Sequence, residues 1–153
     1  MKKAAYFFCT FLFCFSIIAC AGSYAKKIRA IEEAFYIGDI DTAVQQITPI
    51  AQDATSRDRL LYYMEAGIIY REKGDLKTSN EILLRAAQMA DEIQTSVTDS
   101  TKAFFLGDPE KEFQGENFER ALIRYYLALN QAMLGELVEA KRTLRKLDAD
   151  LKD

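Results

Sequence analysis

Three short phrases recur along this chain and limit what it can fold into: Gly38-Asp39-Ile40-Asp41-Thr42-Ala43, Gly74-Asp75-Leu76-Lys77-Thr78-Ser79 and Gly135-Glu136-Leu137-Val138-Glu139-Ala140. Each sets an acid and an apolar residue behind a glycine and ends on a small residue. A glycine terminates a helix cheaply because it adopts a left-handed conformation that costs other residues more. The acid after it lies at the positive end of the next helix, and the small residue lets two helices approach closely. The intervening stretches carry apolar residues at helical spacing, and Pro49 and Pro109 are the two prolines, so an all-α chain is expected. The spacing predicts helices over 26–37, 40–53, 57–73, 76–97, 116–134 and 136–150, forming three antiparallel pairs. Pro49 is expected to kink or shorten the second, and Thr78 with Glu81 reads equally as a capping box or as ordinary helix-start composition.

The phrases stand 36 and 61 residues apart. The first interval is close to the ~34 residues of a tetratricopeptide repeat, and the second fits one such unit carrying an insertion. Tyr63, Gly67, Tyr70, Gly74, Ser79, Leu83 and Ala86 of the middle unit fall on that repeat's pattern, with Gly67 and Ser79 as the small pair. The last unit has Ala128 in place of Gly67 and keeps Leu127, Ala140 and Leu144. The first, with Ile31 and Ala34 at the corresponding sites, is degenerate. The expected fold is a short tetratricopeptide-like solenoid of about three antiparallel helix pairs over 26–153, behind an N-terminal signal helix. Gly38, Gly67, Gly74, Ser79, Gly135 and Ala140 are its structural repeat positions.

Residues 93–118 do not fit a plain repeat. They begin polar and become aromatic, with Phe104, Phe105, Phe113 and Phe118 around Gly107-Asp108-Pro109 and Gly115. One reading folds this insertion over an apolar groove of the helices. The other makes it a binding lip that presents Phe104 or Phe105 to a partner.

The N-terminus is of a different kind. Lys2-Lys3 precedes an apolar run from Ala4 to Ala19 interrupted in polarity only by Thr10 and Ser16, which matches a secretory signal. It ends Ile17-Ile18-Ala19-Cys20, which resembles the bacterial lipobox. That resemblance implies a signal peptide over 1–19, cleavage before Cys20, lipid attachment at Cys20, and a short tether over 20–25. Several acyl chains together give stable anchoring. Ala21 stands where an acid can retain a lipoprotein in the inner membrane of some bacteria, so an outer-membrane location facing the periplasm is expected. Two alternatives stay open: Ser23-Tyr24-Ala25 is an A-x-A-like site whose cleavage would release a soluble protein, and the run extended to Ala21 is close to a bilayer-spanning length.

Arg59-Leu60-Leu61-Tyr62-Tyr63-Met64-Glu65-Ala66-Gly67, Gly74-Asp75 with Ser79-Asn80, and Gln114-Gly115-Glu116-Asn117-Phe118-Glu119-Arg120 leading into Tyr125-Tyr126-Leu127-Ala128-Leu129-Asn130 resemble a family of bacterial envelope lipoproteins with tetratricopeptide-like repeats. The resemblance covers about 57–147, is most specific over Gly115 to Asn130, and spans part of that family's usual length. It implies an envelope lipoprotein with a helical-repeat fold and no established activity.

Chemistry is sparse. The three cysteines, Cys9, Cys14 and Cys20, all lie in the N-terminal segment, there is no histidine, and the net charge is −3. The domain therefore has no internal disulfide and lacks the usual neutral-pH proton shuttle and the commonest zinc ligand. Its acidic balance argues against nucleic acid. Glu116 and Glu119 flank an aromatic, but acids are expected at a helix start for the dipole alone. No glycine-rich phosphate loop, HExxH, CxxC or nucleophile elbow is present, so neither an enzyme nor a cofactor is expected.

Interaction is the better-supported chemistry. The doublets Tyr62-Tyr63 and Tyr125-Tyr126 place neighbours about 100° apart on a helix, so one of each can face the core and the other a groove. Tyr62 and Tyr125 are candidate partner contacts beside Phe104 and Phe105, because tyrosine offers large area at small entropic cost. Lys141, Arg142, Arg145 and Lys146 form a basic helix face interleaved with Glu139 and Asp148, read first as a solvated surface. The last helix also retains Leu137, Val138, Leu144, Leu147 and Leu151 on overlapping faces. A finished solenoid ends in a polar cap, so self-association or docking of another envelope protein is expected there. The rival is a soluble exported domain that encloses a peptide or small apolar ligand in a cavity lined by Phe104, Phe105 and Tyr62.

Overall fold

The computed structural model describes residues 23–53, 58–99 and 117–152. Among them are six helices and no strand: α1 Ser23–Tyr36, α2 Ile40–Ala51, α3 Arg59–Glu72, α4 Leu76–Asp99, α5 Asn117–Met133 and α6 Leu137–Asp150. Each packs against the next in chain order, and α3 also touches α5.

The three recurring phrases form three copies of one turn. Gly38, Gly74 and Gly135 have φ of 84°, 84° and 81°. At each, the glycine N–H donates to a carbonyl three residues back, on Phe35, Arg71 and Ala132. The next N–H reaches five back, to Ala34, Tyr70 and Gln131, over 2.8–3.1 Å. These bonds satisfy carbonyls that a helix end leaves open. Asp39 then accepts from the Thr42 N–H at 3.2 Å and Asp75 from the Thr78 N–H at 3.1 Å. The second cap is therefore Asp75, with Thr78 as its donor, and not a Thr78–Glu81 box. Glu136 holds the same place in the third turn with no side-chain cap bond.

Several element limits differ from expectation. Helix α1 already includes Ser23 to Ala25, so those residues of the expected tether are helical. Helix α4 runs to Asp99, so the start of the expected insertion continues the helix; Gln94 to Asp99 is polar but holds no glycine or proline to stop it. The second helix runs through Pro49 and ends at Ala51, two residues short of the expected limit, with the Gln52 N–H still donating to the Thr48 carbonyl at 3.1 Å.

Two apolar clusters hold the helices together. One joins α1, α2 and α3 through Ile28, Ile31, Ala34, Ala43, Ile47, Ala51, Tyr62, Ala66 and Ile69. The other joins α3, α4 and α5 through Leu60, Leu83, Ala86, Ala87, Met89, Ala90, Ile93, Ile123 and Leu127. Helix α3 supplies both. At its crossing with α4, the Ser79 hydroxyl donates to the Gly67 carbonyl at 2.6 Å and accepts from the Asn130 amide at 2.7 Å. The oxygen of that amide accepts from Arg71. The small pair read from the sequence is thus the hub of a buried polar chain linking α3, α4 and α5. The small residues of the other two phrases, Ala43 and Ala140, are buried as well.

Candidate functional site: an apolar groove on the first helices

Helices α1, α3 and α5, the first of each pair, together bound two adjoining hollows. Ile31, Glu32, Phe35, Tyr36, Glu65, Ile68 and Ile69 line one of about 100 Å³. Met64, Glu65, Ile68, Leu83, Leu122, Ile123 and Tyr126 line the other, of about 150 Å³. Glu65 and Ile68 belong to both, so the two hollows adjoin on either side of α3, forming a grooved surface walled mostly by aliphatic and aromatic groups. Tyr36 and Leu122 are exposed at its two sides.

Its acidic groups are the exposed Glu32 and, deeper, Glu65. Burial pushes the Glu65 carboxyl above its ordinary value, the nearby Glu32 charge adds to the rise, and a hydrogen bond with the Tyr24 hydroxyl works against it. Tyr24 in turn is raised well above the ordinary phenol range by burial and then by the charges of Glu65 and Glu32. Among the described salt bridges, none engages Glu32 or Glu65.

The sequence-derived contacts divide. Tyr62 is 1% exposed and belongs to the first core cluster, its ring 5.4 Å from that of Tyr24. It is a core residue and lines neither of the two hollows; Tyr63 packs against both clusters. In the second doublet Tyr125 is 46% exposed, while Tyr126 lines the groove, 5.8 Å beneath the Arg71 guanidinium and edge-on to Tyr125. Phe104, Phe105 and Phe113 lie outside the described residues, as do Cys20, the signal segment and Glu116. Phe118, counted with the insertion, sits at the start of α5 with its side chain exposed.

Sequence reasoning missed a second polar centre. Arg124, buried on α5, donates to Asp91 of α4 and to Asp150 of α6, and Lys146 reaches Asp91 at 3.4 Å. Burial lowers the affinity of Arg124 for its proton, and the bonds to Asp150 and Asp91 more than restore it. Beside it, the Thr143 hydroxyl donates to Gln131 at 2.8 Å. Asp91, Arg124, Gln131, Thr143 and Lys146 border a hollow of about 240 Å³ between α4, α5 and α6. The available signal was an arginine amid an apolar stripe, but its acids stand 33 and 26 positions away. Lys141, Arg142, Arg145 and Lys146 are exposed, in keeping with a solvated face.

Among the described residues no group of three or more Asp, Glu, His or Cys could hold a metal ion, and no helix is long and apolar enough to cross a membrane. In comparisons with known proteins, no family model, curated protein or solved structure matches the chain.

Proposed function

We propose that this chain is a membrane-tethered, non-catalytic interaction module of the bacterial envelope. In this reading the three helix pairs form a tetratricopeptide-like solenoid, lipid on Cys20 anchors it, and the groove of α1, α3 and α5 takes an apolar segment of another envelope protein. The observation that carries the reading is the groove itself: two adjoining, mostly apolar hollows across three helices, each well below the ~300–1,000 Å³ of a usual small-molecule pocket. A ligand-enclosing cavity would need Tyr62 in its wall, and Tyr62 lies in the core.

Tyr24 supports processing at Cys20. Cleavage after Ala25 would discard this residue, which packs on the first cluster and stacks near Tyr62. Cleavage before Cys20 keeps it. Cys20 is three positions ahead of Ser23, so the lipid would sit within ~10 Å of the helix and hold the domain against the membrane.

Two measurements test this. A photo-crosslinking residue in place of Ile68, in cells carrying the full chain, is expected to capture a reproducible protein that the same residue in place of Leu84, exposed on α4, does not. Equal capture at both positions would remove the groove from the proposal. Metabolic fatty-acid labelling is expected to disappear in Cys20→Ser, and label persisting on that variant would reject Cys20 as the acylated residue.

A further inference from the structure

The α5–α6 end of the molecule has a repeat register that can be read residue by residue. Aligned on their glycines, Ile47, Leu83 and Leu144 occupy one position of the three units. Ile47 and Leu83 are 0% and 1% exposed, each covered by the first helix of the following pair, whereas Leu144 is 49% exposed. Ala90 of α4, buried under α5, corresponds to Leu151, which is 69% exposed, and Leu76 to Leu137, 67% exposed. On α5, Tyr125 stands where Met64 does in α3, and Met64 packs in the second cluster. Positions that earlier units bury are here large, apolar and open.

The solvent side of α6 also has an internal symmetry. Leu137, Lys141, Leu144, Asp148 and Leu151 are spaced four, three, four and three apart, the spacing that keeps residues on one stripe of a helix facing another helix. Reversing the helix about Leu144 sends Leu137 onto Leu151 and Lys141 next to Asp148. We infer that this end is a two-fold interface on which a second copy of the chain docks, α6 against α6, antiparallel and centred on Leu144.

The charges favour a second copy of this chain. In the antiparallel register Lys141 of each copy faces Asp148 of the other, while a parallel register would set Lys141 against Lys141. Asp148 already holds Lys152 at 2.6 Å, in a pair more than two-thirds exposed on both sides, which contributes little and leaves an oxygen for Lys141. Arg145, beside the axis, is the one like-charge approach, and its long stem lets the guanidinium turn outward. Two helices of 14 and 17 residues present a face roughly 20 Å on a side. That is smaller than the ~800 Å² per partner of a standard stable complex. The pairing is therefore weak and concentration-dependent, and it is independent of what the groove binds.

Disulfide trapping in cells making the full chain tests the register, with the unmodified chain as the control for Cys9, Cys14 and Cys20. Leu144→Cys lies on the axis and is expected to form a covalent dimer above that control, and Leu84→Cys, on α4, is not. Leu137→Cys and Leu151→Cys in separately tagged copies are expected to trap each other. Lys141→Asp is expected to reduce the Leu144→Cys dimer at least about tenfold, since like charges then face each other, and adding Asp148→Lys should restore it. A Leu144→Cys dimer no stronger than the control, a disulfide to a different protein instead, or no rescue by the double reversal would each overturn the two-fold register.

Discussion

Gly67 shows how much a single position can carry by having no side chain. A Cβ there would lie 2.5 Å from Leu83 Cδ2 and 2.7 Å from its Cγ, so Leu83, packed in the second cluster, would have to shift toward the hollow of about 150 Å³ that it borders. Gly67→Ala gains about 1 kcal/mol of helix propensity but must displace a packed leucine. The expected net effect is a loss of roughly 1–3 kcal/mol, read as a lower denaturation midpoint at unchanged slope. The last unit carries Ala128 at this place, and the leucine that would oppose it, Leu144, is free to lean outward. Glu65 makes a second prediction at this scale. Its folded pKa is raised, so its contribution to stability is present below the unfolded value of ~4.3 and is lost as pH rises through the folded one. Glu65→Gln should therefore stabilise the protein at neutral pH and cease to do so near pH 4, as chemical denaturation at the two pH values would show. The Gly67–Ser79 pair was legible because two small residues at that spacing have few other uses. Tyr62 was not, because a doublet tells that one ring goes inside without telling which. Asn130 and Arg124 were invisible as sites, since their partners come from helices distant in sequence.

The turn between two helices is the element that the sequence described best. A glycine with φ near 84°, the same two backbone bonds and an acid at the next residue recur three times, and each part has a physical reason visible in the residue types. Where such punctuation is missing the limit is less sharp: the expected end of α4 at 97 falls two residues short of Asp99. Thr78 with Glu81 reads equally as a capping box or as ordinary helix-start composition, and the side chain that caps the helix is Asp75. The acids differ in what they contribute. Asp75 accepts the Thr78 N–H, and that bond holds its carboxyl below the usual range; Glu136 makes no such bond. Asp75→Ala is expected to cost about 1 kcal/mol, whereas Glu136→Ala should cost less. Because the folded pKa of Asp75 is depressed, its contribution is present above the unfolded value and fades as pH falls through the folded one. The difference between wild type and Asp75→Ala, measured by thermal denaturation, should accordingly shrink in acid and hold at neutral pH.

Across the whole molecule the helices are unequally secured. Helix α3 belongs to both apolar clusters, while α6 buries Ala140 alone among its residues. Beyond Ala140 and the half-buried Leu147, α6 is tied down by polar contacts: Asp150 to Arg124, Lys146 to Asp91, and Thr143 to Gln131. Where helices pack chiefly against the next in chain order, as here, the end of the row depends mainly on one interface. The end helix should thus open without the rest. Amide hydrogen exchange is expected to be slowest in α3 and α4 and fastest in α6, with opening of α6 well below the global unfolding energy. Arg124→Met removes the one cation that Asp91 and Asp150 share. Loss of a partner from a fully buried pair costs roughly 3–5 kcal/mol; with Asp91 and Asp150 partly open to water, about 2 kcal/mol is expected. That loss should appear first as faster exchange in α6, with α3 unchanged. If α6 pairs with a second copy, its protection must also rise with protein concentration while that of α2 does not. Exchange in α6 that is insensitive both to concentration and to Arg124→Met would mean that the end helix is held by something other than the contacts described.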